Sequence, residues 1–413
     1  MGQADDPLDM IDPSDSKAQH PTLGGGPLAG VRVLDLSAYI AGPYGCSLLA
    51  DLGADVIKVE PPIGDNMRNY PSTLSAECRL FLGVNRGKRS IVIDLKQPEG
   101  LALLKQLVAE VDVFVHNFRP GVAERLGIGY EDLAPSHPRL IYAGLSGYGD
   151  SGPLSTRAGF DQVLQTMTGI CVGQAEPGEP PELVYGSVVD YFAASMLALG
   201  LAAALYARQH TGRGQRLAVS LLGAALCSQS GRFIWAEGEG AEVDRSTRST
   251  GVNAIFPTKE GHIYLSATAP HFWSSLCRLI GCEDMALDPE YDSLPKRVLR
   301  KAEITDRINA ALSRRSAVEW EALLSGEVPC AVAQPIEAMF DHEQVLAQDH
   351  VATYQHPRVG AYRGFRTPIH FEGTPLSQPR SAPALGQHTR EVLAEAGMQE
   401  DSIHLLREAS VVR

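Results

Sequence analysis

One acid stands at the edge of an oily run. In "VYGSVVDYFAASMLALGLAAALYAR" (184–208), Asp190 precedes residues 191–207, none of which is charged. Ala, Leu and Met dominate that run, so it reads as a helix. Three roles are open. The run reaches only the lower length limit for a bilayer span, contains Ser195 and Gly200, and has no second run of its length in the chain. That disfavours a membrane span. Asp190 can instead cap a buried helix, because backbone N–H groups and the helix dipole stabilise a carboxylate there. Or the same N–H groups hold an ionised, poorly hydrated carboxylate that can attack a carbonyl carbon.

Other chemistries lack their residues. "GVNRGKRS" places three residues between Gly83 and Gly87 where a phosphate loop needs four. No G-x-G-x-x-G opens the first helix, and no H-E-x-x-H, metal-spaced Cys/His cluster or G-x-S-x-G elbow occurs. ATP, NAD and zinc chemistry are therefore unsupported, and no permanently bound cofactor is expected. Side chains alone must do the work.

The elements that would position Asp190 are legible as a pattern. "VRVLDL" (31–36), "DVIKVE" (55–60), "SIVIDL" (90–95), "VFVHNF" (113–118) and "RLIYAGL" (139–145) are short apolar strand runs. Helical stretches alternate with them: "CSLLADLG" after the loop "SAYIAGPYG", and "PEGLALLKQLVAEV" (98–111) with Pro and Glu in its first turn. That rhythm implies a parallel sheet covered on both faces, with ligands beyond the carboxyl ends of its strands. "RQHTGRGQRLAVSLLGAALCS" reads as loop, short strand and helix. From about 230 the texture changes. "NAIFPTKEGHIYLSA" reads as two strands around a Lys-Glu-Gly turn, and "HFWSSLCRLIG" and "ALSRRSAVEWEALLSG" as amphipathic helices. "HTREVLAEAGMQEDSIHLLREA" is helical again. The expected division is a mobile acidic tail 1–27, a large α/β domain 28–225, a small α+β domain 226–345, and a linker and return 346–413.

Composition fits this reading. The 413 residues are 44% hydrophobic and 21% charged, ordinary for a soluble globular protein. A formal charge of −13 argues against a nucleic-acid or anionic-membrane partner. The seven cysteines form no C-x-x-C pair, so reduced thiols in a cytoplasm are expected. The N-terminus lacks the basic start and apolar stretch of a secretory signal.

"GVRVLDLSAYIAGPYGCSLLADLGADVIKVEPP", "NRGKRSIVIDLK", "NFRPGVAERLGIGYEDL", "PRLIYAGLSGYGDSGP" and "TGRGQRLAVSLL" follow one another in order. Later come "VPCAVAQPIEAMFDHEQV", "GFRTPIHFEGTP" and "ALGQHTREVL". In this succession the chain resembles the class III CoA-transferases, the family of formyl-CoA transferase and the carnitine CoA-transferase type. The resemblance implies a Rossmann-like large domain, a smaller domain and an interlocked-ring homodimer. Its substrates would be an acyl-CoA and a small carboxylic acid. Asp190 matches the family's nucleophile, which forms an aspartyl–acyl anhydride and then an aspartyl-CoA thioester. By the same match, Ile40 and Ala41 would lie against the adenine or pantetheine through main chain. Lys96, Asn117, Arg119 and Arg125 would face the nucleotide and its phosphates, and Tyr148 the pantetheine.

Arg86, Lys88 and Arg89 form a basic cluster nearby, open to either ligand contact or solvent. "GYGDSGP" (147–153) is the first candidate for oxyanion-binding N–H groups, with a plain turn as its alternative. Asp161 is open to CoA binding or to capping a helix at 162–169. Three positions depart from relatives. Pro61 and Ser146 stand where formyl-CoA transferase has arginine and lysine. Phe160 stands where the related 2-methylacyl-CoA racemases have histidine, and a phenyl ring moves no proton. A racemase-like activity and a non-catalytic acyl-CoA-binding protein are the alternatives.

Overall fold

The computed structural model describes residues 25–175, 179–239 and 252–413. Most of the expected mobile tail 1–27 lies outside the described residues. The chain divides into two compact units, 1–235 with 347–413, and 236–346.

The first unit holds a six-stranded sheet: β1 (Arg32–Asp35), β2 (Asp55–Glu60), β3 (Arg89–Val92), β4 (Val113–His116), β5 (Ile141–Ser146) and β6 (Arg216–Ser220). Every pairing is parallel and the order is β3-β2-β1-β4-β5-β6. β1 to β4 are fully buried apart from the first residue of β2, as apolar runs covered on both faces must be. The chain reverses its direction of winding between β1 and β4. Loops leaving those two strands part there and open a crevice at their carboxyl ends.

Two layers cover the sheet. On one face, helix Ala41–Asp51 packs against helix Val188–Thr211, with Cys46, Leu49, Ala193, Leu197 and Leu201 in one core. On the other lie helices Pro98–Ala109, Thr389–Glu395 and Glu400–Glu408. The chain's end is tied in, since Asp94 N–H donates to the Val411 carbonyl at 2.9 Å.

Three elements of this first unit differ from their sequence reading. The first helix begins at Ala41, inside the stretch read as a Gly/Pro loop. Its glycines serve close packing: a Cβ on Gly45 would meet the Ala194 carbonyl at 3.0 Å, and one on Gly42 the Ser37 side chain at 2.4 Å. Pro43 is tolerated because it lies in the first turn. The apolar helix starts at Val188, so Asp190 sits within its first turn rather than ahead of it. It is long and apolar enough to cross a membrane by length and composition, yet Val189, Ala194, Leu201 and Leu205 are buried in the core. Third, residues 351–365, read as linker, form an antiparallel hairpin of Val351–His356 and Gly360–Phe365, on which Tyr354 and Tyr362 stack at 5.2 Å.

The second unit has three antiparallel strands, Asn253–Pro257, His262–Ser266 and Cys330–Val332, covered by helices around Trp273, Leu276 and Trp320. The stretch "ALSRRSAVEWEALLSG" is two helices, because Ser316 and Glu319 form a reciprocal capping box that starts a new one at Ala317.

Candidate active site

A cleft of about 280 Å³ opens at the β1–β4 crevice. The loop after β1 supplies Ala38 and Tyr39, and the loop after β4 supplies Asn117 to Pro120. The end of β5 adds Ser146 and Gly147, Ser155 and residues 157–160 form one wall, and Asp190 projects in from helix Val188–Thr211. A second cleft of about 420 Å³ lies over the ends of β2 and β3, lined by Pro61, Pro62, Ile63, Ile93 and Lys96. Phe118 lines both.

The environment of Asp190 is unusual for a first-turn carboxylate. The helix's own cap residue, Ser187, makes no capping hydrogen bond. The Oδ2 atom of Asp161 takes that role from a distance. It accepts from Val189 N–H at 2.7 Å and from Asp190 N–H at 3.0 Å. Asp161 opens helix Asp161–Met167 but caps a different one, contrary to its sequence reading. Burial, then the Asp161 charge, push the Asp190 carboxyl up to about 7. The expectation that backbone N–H groups hold Asp190 ionised is therefore overturned. Those groups are spent on Asp161, and the Asp190 side chain faces the cleft.

A buried ionic scaffold shapes the loop after β1. Lys88 Nζ bonds Asp35 Oδ2 at 2.7 Å, and both side chains are fully buried. Asp35 accepts from Ser37 N–H at 2.9 Å. Lys58 Nζ bonds Asp65 Oδ2 at 2.8 Å and the Ser37 carbonyl at 2.7 Å. Burial opposes the Lys58 charge, but Asp65, Asp35 and Glu60 outweigh it and lift that ammonium above the ordinary lysine range. Asp65 Oδ1 in turn accepts from Tyr39 N–H at 3.3 Å. Tyr39 is held at φ 69°, a conformation that costs a non-glycine residue energy and places its ring edge-on to Phe160 at 5.7 Å.

The residues proposed from sequence are not all brought together. Asp190, Ala41, Asn117 and Arg119 line the first cleft, and Lys96 lines the second. Asn117 spends its amide on the protein: Oδ1 accepts from Ala38 N–H at 2.9 Å and Nδ2 donates to the Ala38 carbonyl at 2.7 Å. It fixes the wall of the cleft. Ile40 lines neither cleft and packs against the cluster that contains Met67 and Phe81. Tyr148 is buried, donates to the Ala158 carbonyl and lines neither cleft. Arg125 is exposed outside both clefts. Of "GYGDSGP", Gly147 alone reaches the Asp190 cleft, and Gly149 N–H is taken by Ser146 Oγ at 3.0 Å.

The basic cluster is neither ligand-facing nor solvated. Arg86 pairs with Asp51, Lys88 with Asp35, and Arg89 with Asp55, Glu391 and Glu395. Burial works against these cations, and a carboxylate beside each offsets that cost. Sequence reasoning also passed over Tyr39, Ser155 and Arg157, which line the cleft. Their only local signal is their place beside segments already chosen.

Replacing Asn117 by Ala removes both bonds to Ala38. At about 1 kcal/mol each, their loss should raise KM for acyl-CoA about tenfold or more while the far-ultraviolet circular dichroism stays unchanged. Steady-state kinetics checks this.

The profile of CoA-transferase family III matches residues 28–389. The chain belongs to CoA-transferase family III. It is 32% identical over 377 residues to succinyl-CoA:glutarate CoA-transferase of Mus musculus, covering 89% of this chain and 86% of that one. Succinate–glutarate CoA-transferase of Agrobacterium fabrum is 33% identical, with 89% and 95% covered. Acetyl-CoA:oxalate CoA-transferase of Acetobacter aceti is 36% identical, with 71% and 77% covered. Among solved structures, a CAIB/BAIF family protein from Brucella suis superposes with a TM-score of 0.80 at 29% identity, covering 90% of this chain and all of that one. A hypothetical protein from Mycobacterium tuberculosis gives 0.79 at 31% identity, with 89% and 99% covered. This family III CoA-transferase thus acts on CoA thioesters, and its six-stranded parallel sheet is that of the solved family structures.

Proposed function

We propose that this CoA-transferase moves CoA between two short carboxylic acids through covalent intermediates on Asp190. The observation that carries the reading is the Asp190 carboxyl, set in the switch-point cleft while the first-turn N–H groups of Val189 and Asp190 are bonded to Asp161; burial pushes that carboxyl up to about 7. A carboxylate of that basicity is a stronger nucleophile than an ordinary aspartate, yet is still ionised near neutral pH.

Asp190 Oδ attacks the donor thioester carbonyl. The C–S bond breaks, the thiolate leaves with its electron pair, and an aspartyl–acyl anhydride remains. The thiolate then attacks the aspartyl carbonyl, releasing the donor as its carboxylate and leaving an aspartyl-CoA thioester. An acceptor carboxylate attacks that thioester, thiolate departs again, and a second anhydride forms. Attack of the thiolate on the acceptor's acyl carbon yields acceptor-CoA and free Asp190. Every intermediate is an activated acyl group, so no ATP is required. Water is the competitor, and the apolar helix and Phe160 help to exclude it.

CoA would place its nucleotide over the β2–β3 ends. Pro61 gives that cleft an apolar wall where formyl-CoA transferase has an arginine. Arg119 and Arg157 line the same cleft as Asp190, and their positive charge suits an acid with a second carboxylate. The named relatives act on succinyl-CoA with glutarate or on acetyl-CoA with oxalate, and both lines support a short dicarboxylate acceptor. We further infer a homodimer, because Leu199, Tyr206 and Phe233 stand exposed on the single chain, at 62%, 69% and 68%. The free cysteines suit a reducing cytoplasm.

The test is direct. Incubate the protein with succinyl-CoA and a panel of mono- and dicarboxylic acids, and follow new thioesters by mass spectrometry. Hydroxylamine added during turnover should leave a hydroxamate at Asp190. New thioester without any adduct there would refute the covalent route.

A further inference from the structure

We propose that Asp161 is a positioning residue for the transfer: it occupies the backbone N–H groups of Val189 and Asp190, and so keeps the Asp190 carboxylate unbonded and turned into the cleft. The inference rests on Asp190 being the nucleophile.

In the first turn of a helix, a carboxylate ordinarily folds back on the free N–H groups, which also concentrate the positive end of the dipole. A carboxylate so bonded is stabilised, weakly basic and a poor nucleophile. Here those donors belong to another side chain. Asp161 is buried at 2% exposure, and its Oδ2 bridges both N–H groups. Its Oδ1 accepts from Gln165 Nε2. Gln165 is itself fully buried and is held by Val184 N–H, which donates to its Oε1 at 3.0 Å. The cap is therefore rigid and anchored to the segment leading into the helix. Ser187, at the position where a local cap belongs, leaves the role to it.

The second consequence is electrostatic. Asp161 puts a buried acid next to a second one, and removing solvent from both disfavours charge on Asp190. Among the described residues, the other titratable or charged groups facing Asp190 are few. Tyr191 lies on its own helix and Tyr44 packs from helix Ala41–Asp51. Tyr39, Arg119 and Arg157 reach the cleft from three loops. Asp161 is the acid among them. It therefore sets both where the nucleophile points and how basic it is.

The test uses full-length protein, a succinyl-CoA donor and a dicarboxylate acceptor found active in the panel above. In the unaltered chain, kcat should fall as pH drops through about 7. Asp161→Asn keeps an oxygen that can accept both N–H bonds but removes the charge. Its acid limb should move down by about one pH unit, with KM for acyl-CoA within twofold. Asp161→Ala releases the N–H groups to Asp190, and kcat should fall about 10- to 100-fold with KM again little changed. Partial recovery in Asp161→Asn relative to Asp161→Ala supports the cap. An Asp161→Asn chain with native circular dichroism and an unmoved acid limb overturns the proposal.

Should that variant fail to fold, Gln165→Leu keeps the Asp161 charge and loosens its hold. It should lower kcat about tenfold without moving the acid limb, and an unchanged kcat overturns the proposal. Hydroxylamine separates the two levels of the argument. No adduct at Asp190 in the unaltered chain sinks the proposed function and this inference together. An adduct there, with Asp161→Asn matching the unaltered chain at every pH, sinks the role of Asp161 alone.

Discussion

In the Asp190→Ala variant, acceptor-CoA should fall by about 10,000-fold or more while acyl-CoA still binds. The side chain supplies the atom that becomes bonded to the acyl carbon, and its removal leaves no route through an anhydride. Arg119 and Arg157 in the cleft, and Lys96 over β3, remain in place to hold the ligand. Isothermal titration with succinyl-CoA should therefore give a Kd within a few-fold of the unaltered chain. Asp190→Asn sharpens the result, because it keeps the volume and removes the charge. The fold should not suffer. Burial and Asp161 raise the Asp190 carboxyl from 3.8 to about 7, so the native state holds that proton more tightly than the unfolded chain does. Its ionisation therefore costs stability, and the cost grows as pH rises from about 4 to 7. Above pH 7 the Asn variant should melt at or above the temperature of the unaltered chain, and at pH 4 the two should coincide. A variant that keeps full turnover, or one that melts earlier at pH 8, contradicts this assignment.

The largest structural effect is expected from Lys88→Met. Lys88 and Asp35 are fully buried, and the lysine also bonds the Pro43 carbonyl and Asn85 Oδ1. Burial works against a charged Asp35, but Lys88 and Lys58 together outweigh it and hold the carboxyl below its ordinary value. Removing Lys88 leaves that carboxylate in the core short of its partner, a loss of about 3–5 kcal/mol. For a large chain this should appear as a clear fall in the denaturant midpoint. A double change, Asp35→Leu with Lys88→Met, removes both charges and should recover much of the loss. Activity should not return with stability. Asp35 also accepts from Ser37 N–H and sets the start of the loop that carries Ala38 and Tyr39 into the cleft. Chemical denaturation paired with the transfer assay separates the two losses.

Much of the scaffold is legible in the sequence itself. β2 matches its expected run at both ends, β1 and β4 lie within theirs to one or two residues, and β3 and β5 overlap theirs with ends shifted by up to three. Short apolar runs between turn residues leave few alternatives when a sheet is covered on both faces. The errors fall where local pattern is ambiguous. "AGPYG" looks like loop chemistry, yet its Gly45 is a packing contact for a helix more than a hundred residues away in sequence, and its Gly42 makes room for Ser37. The hairpin at 351–365 is short, half-exposed and polar, so its alternation is faint. The break at Ser316 was written locally, in a serine followed three residues on by glutamate, and was readable as a cap.

The site divides in the same way. Asp190 is marked by contrast, a lone acid beside an uncharged run, and the order of motifs from 28 to 389 carries the family. Those properties belong to the chain itself, because hydrophobic periodicity and residue type are local. What Asp190 can do was decided in three dimensions. Asp161 reaches the helix start from a separate helix, and Asn117 clasps Ala38 across two strand ends. Arg86, Lys88 and Arg89 look in sequence like a phosphate-binding cluster and are consumed by buried carboxylates from elsewhere in the fold. A charge's strength and direction depend on which groups surround it and how much water is left, and folding alone brings those groups together.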